Sequence, residues 1–364
     1  EQTHIMRDAP SGMLIFVDDG SSIAHENGVT LPYAVKTGDM VGDLLGPLAY
    51  TYDNYKIQPI ITPTVIPVDR PLPAMDPTQP NELSIATFNA ENFFDIMDPH
   101  PSDPPRPSLG KYRTKLVKTA KAIVAMGVPT IVGLQEIENI GVLEDLIEEP
   151  AIAQYHYLPA LIEGTDSRGI DVAYLVRGDV ATLEGVSAYP APEGVTSRPP
   201  LLITVTMRLA GEQRTLYVLN NHFTSMSGGE RATEPRRIAQ AAWNVNLVNR
   251  LLAQNPEAYV VVLGDLNSYY RSPPLDVLRE ANATTDHKLH HVYELVAPLI
   301  PYTYIYQGET ETLDHILVTS SLYRYLVYVG AVHINADYPL PIPNDTSARR
   351  VSDHDPLVAI FSFE

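Results

Sequence analysis

The 364-residue chain contains no cysteine. Disulfides, thiolate metal sites and a cysteine nucleophile are thereby excluded, so oxygen and imidazole must supply any metal ligand or proton carrier. No apolar run approaches the roughly 20 residues that a helix needs to cross a bilayer. Basic residues are scarce: 25 Lys and Arg stand against 44 Asp and Glu, for a formal net charge of −19. Proteins that coat nucleic acid regardless of sequence are usually basic, because neutralised phosphates release counterions. That mode is therefore not expected over the whole surface. Local contact through a bound cation, which inverts the field, stays open, as does plain solubility. There is no Gly-x-Ser-x-Gly elbow, no Walker loop, no dinucleotide fingerprint and no internal repeat, which removes the commonest serine-hydrolase and nucleotide-binding readings. The sequence starts at Glu1 with no initiator Met, no basic n-region and no apolar h-region. The expectation is a mature or trimmed secreted protein whose signal peptide has been removed.

What is present points to one small and one large domain. The 32 prolines cluster in 59–80 and 99–107, which read as linker and loop because proline fixes φ and removes a donor. Residues 1–60 carry short β-type runs broken by glycine, Met13-Leu-Ile-Phe-Val17, Gly38-Asp-Met-Val-Gly42 and Asn54-Tyr-Lys-Ile-Gln-Pro59. They suggest a small β-barrel, followed by a Pro-rich linker over 61–81. From Glu82 to Glu364 strands alternate with helices. Leu83-Ser-Ile-Ala-Thr-Phe88, Pro129-Thr-Ile-Val-Gly-Leu134, Asp171-Val-Ala-Tyr-Leu-Val176, Leu201-Leu-Ile-Thr-Val-Thr-Met207, Thr215-Leu-Tyr-Val-Leu219, Tyr259-Val-Val-Val-Leu263, Asp314-His-Ile-Leu-Val318 and Leu357-Val-Ala-Ile-Phe361 read as strands. Helical periodicity appears over Lys111 to Met126 and over about Glu234 to Ala253, with Ile238, Ala241, Ala242, Val245, Val248 and Leu252 on one face. The fold class expected is α/β, a two-sheet sandwich rather than a doubly wound sheet.

Polar residues fall at strand ends: Asn89, Glu136, His222, Asp265 and Asn267. Ligands of α/β folds collect outside carboxyl strand ends. A single such residue is an ordinary turn former, but a set of them is a candidate site. Hard divalent cations want oxygen ligands, for which Glu136, Asp265, Asp314 and Asp353 are candidates. His222 and His354 are candidate proton carriers near neutral pH. Asn89 and Asn267 are candidates for holding a phosphate oxygen or orienting a water.

The segments Ile85-Ala-Thr-Phe-Asn-Ala-Glu-Asn92, Ile131-Val-Gly-Leu-Gln-Glu-Ile-Glu-Asn139, Gly169-Ile-Asp-Val-Ala-Tyr174, Asn221-His-Phe223, Gly264-Asp-Leu-Asn267, Leu313-Asp-His-Ile316 and Ser352-Asp-His-Asp-Pro356 follow one another. In that order they resemble the endonuclease/exonuclease/phosphatase superfamily, over about Glu82 to Glu364. Ser227-Gly-Gly followed by Ala232-Thr-Glu-Pro-Arg-Arg-Ile-Ala-Gln240 resembles bacterial extracellular nucleases, as does the N-terminal run, which is similar to their OB-fold-like module.

The resemblance implies a deoxyribonuclease-like sandwich and a secreted, metal-dependent nuclease acting on DNA, with RNA as a further substrate. Mg²⁺ is the implied ion, with Mn²⁺ as an alternative and Ca²⁺ as a structural ion. It implies Glu136 as metal ligand, with Asn89 and Asp353 on the metal side. Asp265 and Asn267 would orient water or hold phosphate, and Asn89 would also touch phosphate. Asp314 would pair with His354, and Asp171 with His222. Arg198 would bind phosphate. A carboxylate beside each imidazole should raise both histidine pKa values. Arg231, Arg236 and Arg237 are candidates for nucleic-acid contact, and Tyr269 and Tyr270 for base stacking. Asp355 is a weaker site candidate. His4, His25, His100, His287, His290, His291 and His333 read as surface or packing residues. No membrane contact and no obligate protein partner are expected. Two competing readings are a sphingomyelinase-like lipid phosphodiesterase, which would want an exposed aromatic hairpin such as Tyr302-Thr-Tyr-Ile-Tyr306, and a non-catalytic nucleic-acid-binding module.

Overall fold

Strands buried on both faces read as nearly continuous apolar runs, and the chain has several. The computed structural model describes residues 15–20, 25, 27–52, 54–97, 106–280 and 289–364. His4, His100 and His287 lie outside the described residues, as does Met13 of the first N-terminal run.

The N-terminal strands are β1 (Phe16–Val17), β2 (Met40–Gly42), β3 (Leu48–Thr51), β4 (Asn54–Ile57) and β5 (Thr64–Ile66). The sheets are β1-β4-β3 and the ribbon β2-β5. Among the described residues these do not close into a barrel, so the expected OB-like barrel is not seen there. Strands of two to four residues offer too little ladder to close on themselves. Strand β5 falls within the Pro-rich stretch. That stretch is laid along the larger unit: Arg70 Nη1 donates to Asp337 Oδ2 at 2.7 Å, and the Met75 N–H donates to Ala125 O at 2.9 Å.

Next come β6 (Glu82–Phe93), α1 (Leu109–Ala125), β7 (Ile131–Ile137), α2 (Ile140–Ile147), β8 (Tyr157–Leu161), β9 (Asp171–Arg177), β10 (Ala181–Ala188), β11 (Leu201–Leu209) and β12 (Glu212–His222). They are followed by α3 (Glu230–Gln254), β13 (Tyr259–Asp265), α4 (Pro273–Arg279), β14 (Leu289–His291), β15 (Tyr304–Tyr306), β16 (Glu309–Glu311), β17 (Asp314–Thr319), α5 (Ser320–Tyr323), β18 (Leu326–Ala331) and β19 (Leu357–Ser362). Two six-stranded sheets result, ordered β18-β19-β6-β7-β9-β8 and β10-β11-β12-β13-β17-β14. The expected two-sheet α/β sandwich is therefore present. The order also shows why no doubly wound sheet forms: each large sheet holds one parallel pair, β6 with β7 and β12 with β13, among antiparallel neighbours.

Alternation sorts the side chains into layers. Leu83, Ile85, Val218, Val261 and Leu263 point between the sheets, into one core. Ala86, Phe88, Val132 and Leu134 face α1 and α2, while Leu219, Val260 and Val262 face Ala241, Val248 and Leu252 of α3. Burial of each such large apolar side chain contributes about 1.5–3 kcal/mol. Helix α3 starts four residues earlier than its apolar period suggests, with Pro235 in its first turns. Its buried face is more polar than the period implies, because Arg237, Gln240 and Asn244 lie on it.

A polar bolt joins the sheets beneath the strand ends. Asn220 Nδ2 donates to Leu134 O and Ala173 O, each at 2.9 Å, and Gln135 Nε2 donates to Asn220 Oδ1 at 2.7 Å. The sheets come so close here that a Cβ on Gly133 would lie 2.4 Å from Leu263 Cδ1. Asn220→Ala leaves those groups buried and unpaired, at about 1–3 kcal/mol each. The expected loss is about 3 kcal/mol, read as a lower urea midpoint with unchanged slope. A midpoint equal to wild type would show that the bolt is not structural.

Candidate active site

The site exists because parallel pairs send their carboxyl ends the same way. Strands β6, β7, β12 and β13 deliver Asn89, Glu136, His222 and Asp265 to one edge of the sandwich. Antiparallel neighbours start at that edge: β17 begins with Asp314, β9 begins with Asp171, and Asp353 and His354 precede β19. The ladder aligns His222 with Asp265 and Asp265 with Asp314.

Local irregularity aims two of these side chains. The β7–β9 register shifts between Gln135 and Ile137, and Glu136 at that bulge has φ 63°. A bulge re-aims the extra residue, and here it turns Glu136 into the site. The last residues of β13, toward the turn, need Gly264, at φ 138°, because a Cβ there would lie 1.9 Å from Asn221 O.

His354 and Asp314 form the pair expected from sequence. His354 Nδ1 lies 2.8 Å from Asp314 Oδ2, and its Nε2 lies 3.9 Å from Asp265 Oδ2. Burial alone would lower the His354 pKa. The carboxylates of Asp314 and Asp265 outweigh it and hold the imidazole well above its ordinary value. Asp265 Oδ2 accepts from Asn89 Nδ2 at 3.1 Å, and Oδ1 accepts from the Asn267 N–H at 2.9 Å. Burial pushes Asp265 up to about 7, even though the His354 charge opposes that shift. His222 Nε2 sits between two carboxylates, 3.5 Å from Asp265 Oδ2 and 3.8 Å from Glu136 Oε1.

The second expected pair is not formed. Asp171 Oδ1 accepts from the Gly164 N–H at 2.8 Å, and His222 Nδ1 is buried without a partner. Nor is the His222 pKa raised. Burial, reinforced by the cations Arg198 and Arg168, holds it well below its ordinary value. Asp171 is itself pushed up to about 6, chiefly by burial. A carboxyl with a raised folded pKa binds its proton more tightly when folded, so its contribution to stability falls as pH rises from about 4 through 6. Asp171→Asn is therefore expected to stabilise the protein at pH 8 by about 1–2 kcal/mol after solvent screening. Little gain is expected at pH 4, and kcat should stay near wild type. Urea melts at both pH values test this; equal midpoints at pH 8 would contradict it.

Arg198 is placed at the site but is already engaged. Its guanidinium donates to His222 O (3.2 Å), Phe223 O (3.1 Å) and Asp166 Oδ2 (2.9 Å). Asn267 Nδ2 donates to Phe223 O at 3.2 Å. Asp353 is half-buried beside Ser352, whose Oγ donates to Asn89 O at 2.7 Å.

Several other expectations are corrected. Tyr269 and Tyr270 are buried, Tyr269 donating to Glu311 Oε1 at 2.9 Å, so neither offers a face to a base. Arg237 is 2% exposed and donates to Glu230 O and Thr233 Oγ1 within its own helix. Asp355, which the sequence favours as structural over a site role, does anchor His333 and the Asn335 N–H. Tyr302 stacks on His333, and Tyr304 lies against the His354 ring, 4.7 Å between centroids. Tyr302 and Tyr304 are thus turned against the protein, and of that segment Tyr306 alone is exposed. Among the described residues no helix is long and apolar enough to cross a membrane.

Sequence reasoning passed over Arg168. Its Nη2 donates to Glu136 Oε2 at 3.1 Å and to Asn92 Oδ1 at 2.5 Å. It stands in a turn before β9, inside no periodic segment. It also gave no role to His315. Nδ1 of this buried ring lies 2.8 Å from His291 Nε2, and its Nε2 donates to Ser268 O at 2.7 Å. The two imidazoles thereby brace the turn that carries Asn267.

The donor chemistry fits a hard divalent cation. Ligand atoms of Asp265, Asp314 and His354 lie within 4.8 Å of one another, and Asp314 Oδ1 is buried with no partner. This compact set shares Asp265 and Asp314 with the oxygen ligands read from the strand ends, and differs from the Glu136, Asn89 and Asp353 set that the resemblance implies.

Comparison with known proteins gives a family and a fold. A family model described as the Endonuclease/Exonuclease/phosphatase family matches residues 84–331. No curated protein matches. Solved structures do. D. rerio TDP2, humanized by 14 mutations, shares 17% identity at TM-score 0.54, over 78% of this chain and 99% of that one. The human Nocturnin catalytic domain with bound sulfate shares 16% at 0.52, over 79% and 96%. An endonuclease/exonuclease/phosphatase from Bacteroides vulgatus shares 18% at 0.52, over 78% and 99%. At such identities the likeness is one of fold. The family match ends before Asp353 and His354, and the Asp314–His354 bond joins them to it. The chain belongs to the endonuclease/exonuclease/phosphatase family.

Proposed function

We propose that the protein is a divalent-metal-dependent phosphodiesterase that hydrolyses nucleic acid, DNA in the first place and RNA as a further substrate, and that it acts outside the cell. The observation that carries the reading is the convergence of Glu136, His222, Asp265, Asp314 and His354 on one edge, with the Asp314–His354 bond and the raised Asp265 carboxyl. Family membership supports phosphoester hydrolysis, and the extracellular location follows the sequence resemblance.

In this reading the attacking oxygen comes from water. Asp265, its carboxyl raised by burial, accepts the water proton, since a base whose pKa is raised toward the working pH is the more efficient one. Asn89 and the Asn267 N–H fix the orientation of that carboxyl. The new P–O bond forms as the bond to the leaving oxygen breaks. His354, kept protonated by Asp314, stabilises the charge that develops and returns a proton to the leaving oxygen. His222 stays neutral, and Arg198 fixes the backbone carbonyls of His222 and Phe223. Mg²⁺, or Mn²⁺ in its place, would be held by Glu136 with Asn89 and Asp353, since Asp265, Asp314 and His354 are engaged in the proton transfers, and would supply charge neutralisation at the phosphoryl oxygens.

The test is plasmid DNA incubated with the protein in Mg²⁺, Mn²⁺ or EDTA, beside sphingomyelin. Cleavage of DNA that EDTA abolishes is expected. Turnover of sphingomyelin alone would replace this reading with the lipid one.

A further inference from the structure

A cavity of about 540 Å³ lies between the N-terminal segment and the loop that leads into β19. Lys36 and Arg70 line one wall, and Tyr338, Ile342, Arg349 and Arg350 line the other. None of these residues belongs to the catalytic constellation. Yet Arg350 stands three residues before Asp353. At no more than about 3.6 Å of chain per residue, their backbones lie within roughly 11 Å.

Two independent features mark the cavity as a binding site. The first is charge. In a chain of net charge −19, Arg349 and Arg350 form no ion pair among the described residues. Arg349 lies over the Tyr338 ring, 5.5 Å from its centroid, and Arg350 makes a single long bond of 3.5 Å to Asn335 O. The lining acids Asp39 and Asp345 are occupied by Lys36 and Lys118, which leaves Asp69, exposed at the rim. The second feature is Tyr338. It is 7% exposed, and its Oη is buried with no hydrogen-bond partner. Buried hydroxyls are rarely left unpaired, and each exception calls for a reason.

Two unspent guanidinium groups suit a phosphate. A lone hydroxyl suits a polar edge, and the Pro67, Pro339 and Ile342 surfaces suit a flat ring. We propose that the cavity holds a nucleotide unit of the substrate strand next to the cleaved phosphodiester, with its phosphate on Arg349 and Arg350 and a polar sugar or base edge on Tyr338 Oη. The identity of the strand rests on the nuclease reading of the catalytic site. The N-terminal segment then forms one wall of a substrate subsite.

The experiment uses the full chain and the variants Arg349→Ala and Tyr338→Phe. A fluorescent single-stranded oligodeoxynucleotide is titrated in EDTA, so that binding is read without turnover. Kinetics with Mg²⁺ then compare the oligonucleotide with bis(p-nitrophenyl) phosphate, which fills only the catalytic centre. Arg349→Ala is expected to weaken oligonucleotide binding and raise its KM about tenfold, with the salt slope falling by about 1. Tyr338→Phe should shift both in the same direction while keeping the ring. Kinetics on bis(p-nitrophenyl) phosphate should not change. Wild-type affinity in both variants, no binding by wild type, or equal losses on both substrates would each overturn the proposal. If wild type binds the oligonucleotide through these residues yet cleaves neither substrate, the nuclease reading fails and the cavity assignment stands.

Discussion

His354→Ala is expected to lower kcat on a phosphodiester substrate about 10²–10⁴-fold, with a much smaller change in KM. His354 is the one imidazole of the site whose outer nitrogen is bonded to a buried carboxylate, at 2.8 Å, while its inner nitrogen faces Asp265. Asp314 is itself fixed. It is fully buried, its backbone pairs opposite Asp265 in the ladder, and Tyr293 Oη donates to its carbonyl at 2.9 Å. Asp314→Asn keeps the volume but removes the charge that holds the ring protonated and oriented. It should lose nearly as much kcat as His354→Ala. Groups that act as a unit are not additive, so the double variant should fall far short of the product of the single losses. Rates of the two singles and the double, at saturating substrate and metal, test the claim. Near-native kcat in His354→Ala, or full additivity, would remove the pair from the chemistry.

That pair was legible before any coordinates because each partner stands at a strand end beside a recognisable neighbour, Leu313-Asp-His-Ile316 and Ser352-Asp-His-Asp-Pro356. The same logic placed Asn89, Glu136, His222 and Asp265, and apolar runs such as 259–263 set out the central strands. Short or half-exposed strands were not legible. Tyr157–Leu161 contains Pro159, and Ala181–Ala188 alternates weakly with Gly185 at a register shift. The partner of His222 was not legible either, since Asp171 lies in the right motif but turns its carboxylate to a loop N–H. Whether an aromatic or a basic side chain faces solvent is set by packing at a distance, which is why Tyr269, Tyr270 and Arg237 read as contact residues and proved to be buried. The N-terminal runs have β-type composition, but a barrel needs register between strands, and composition does not encode that.

Glu136 gives the second large expected effect. The residue is 8% exposed, and its carboxylate is bonded to the Asn92 N–H at 2.9 Å and to Arg168 at 3.1 Å. Arg168 has a half-exposed side chain, so the ion pair adds little to stability; what it adds is a positive charge on the carboxylate that a cation would use. On the proposed reading, Glu136→Ala removes an oxygen ligand from a site that stabilises charge on a phosphoryl group, an effect worth several kcal/mol. A loss of about 10³-fold or more in kcat follows, at roughly 1.4 kcal/mol per factor of ten, and excess Mg²⁺ should not restore it. The fold should survive, because the bulge at 136 is held by the neighbouring ladder. Arg168→Ala should act in the opposite sense on the ion alone. With its competitor gone, Glu136 should bind Mn²⁺ several-fold more tightly, while Glu136→Ala binds it more weakly. Mn²⁺ titration followed by electron paramagnetic resonance separates these effects from turnover. Unchanged Mn²⁺ affinity in both variants would place the cation wholly on Asp265, Asp314 and His354, and would leave Glu136 to act on substrate through Arg168.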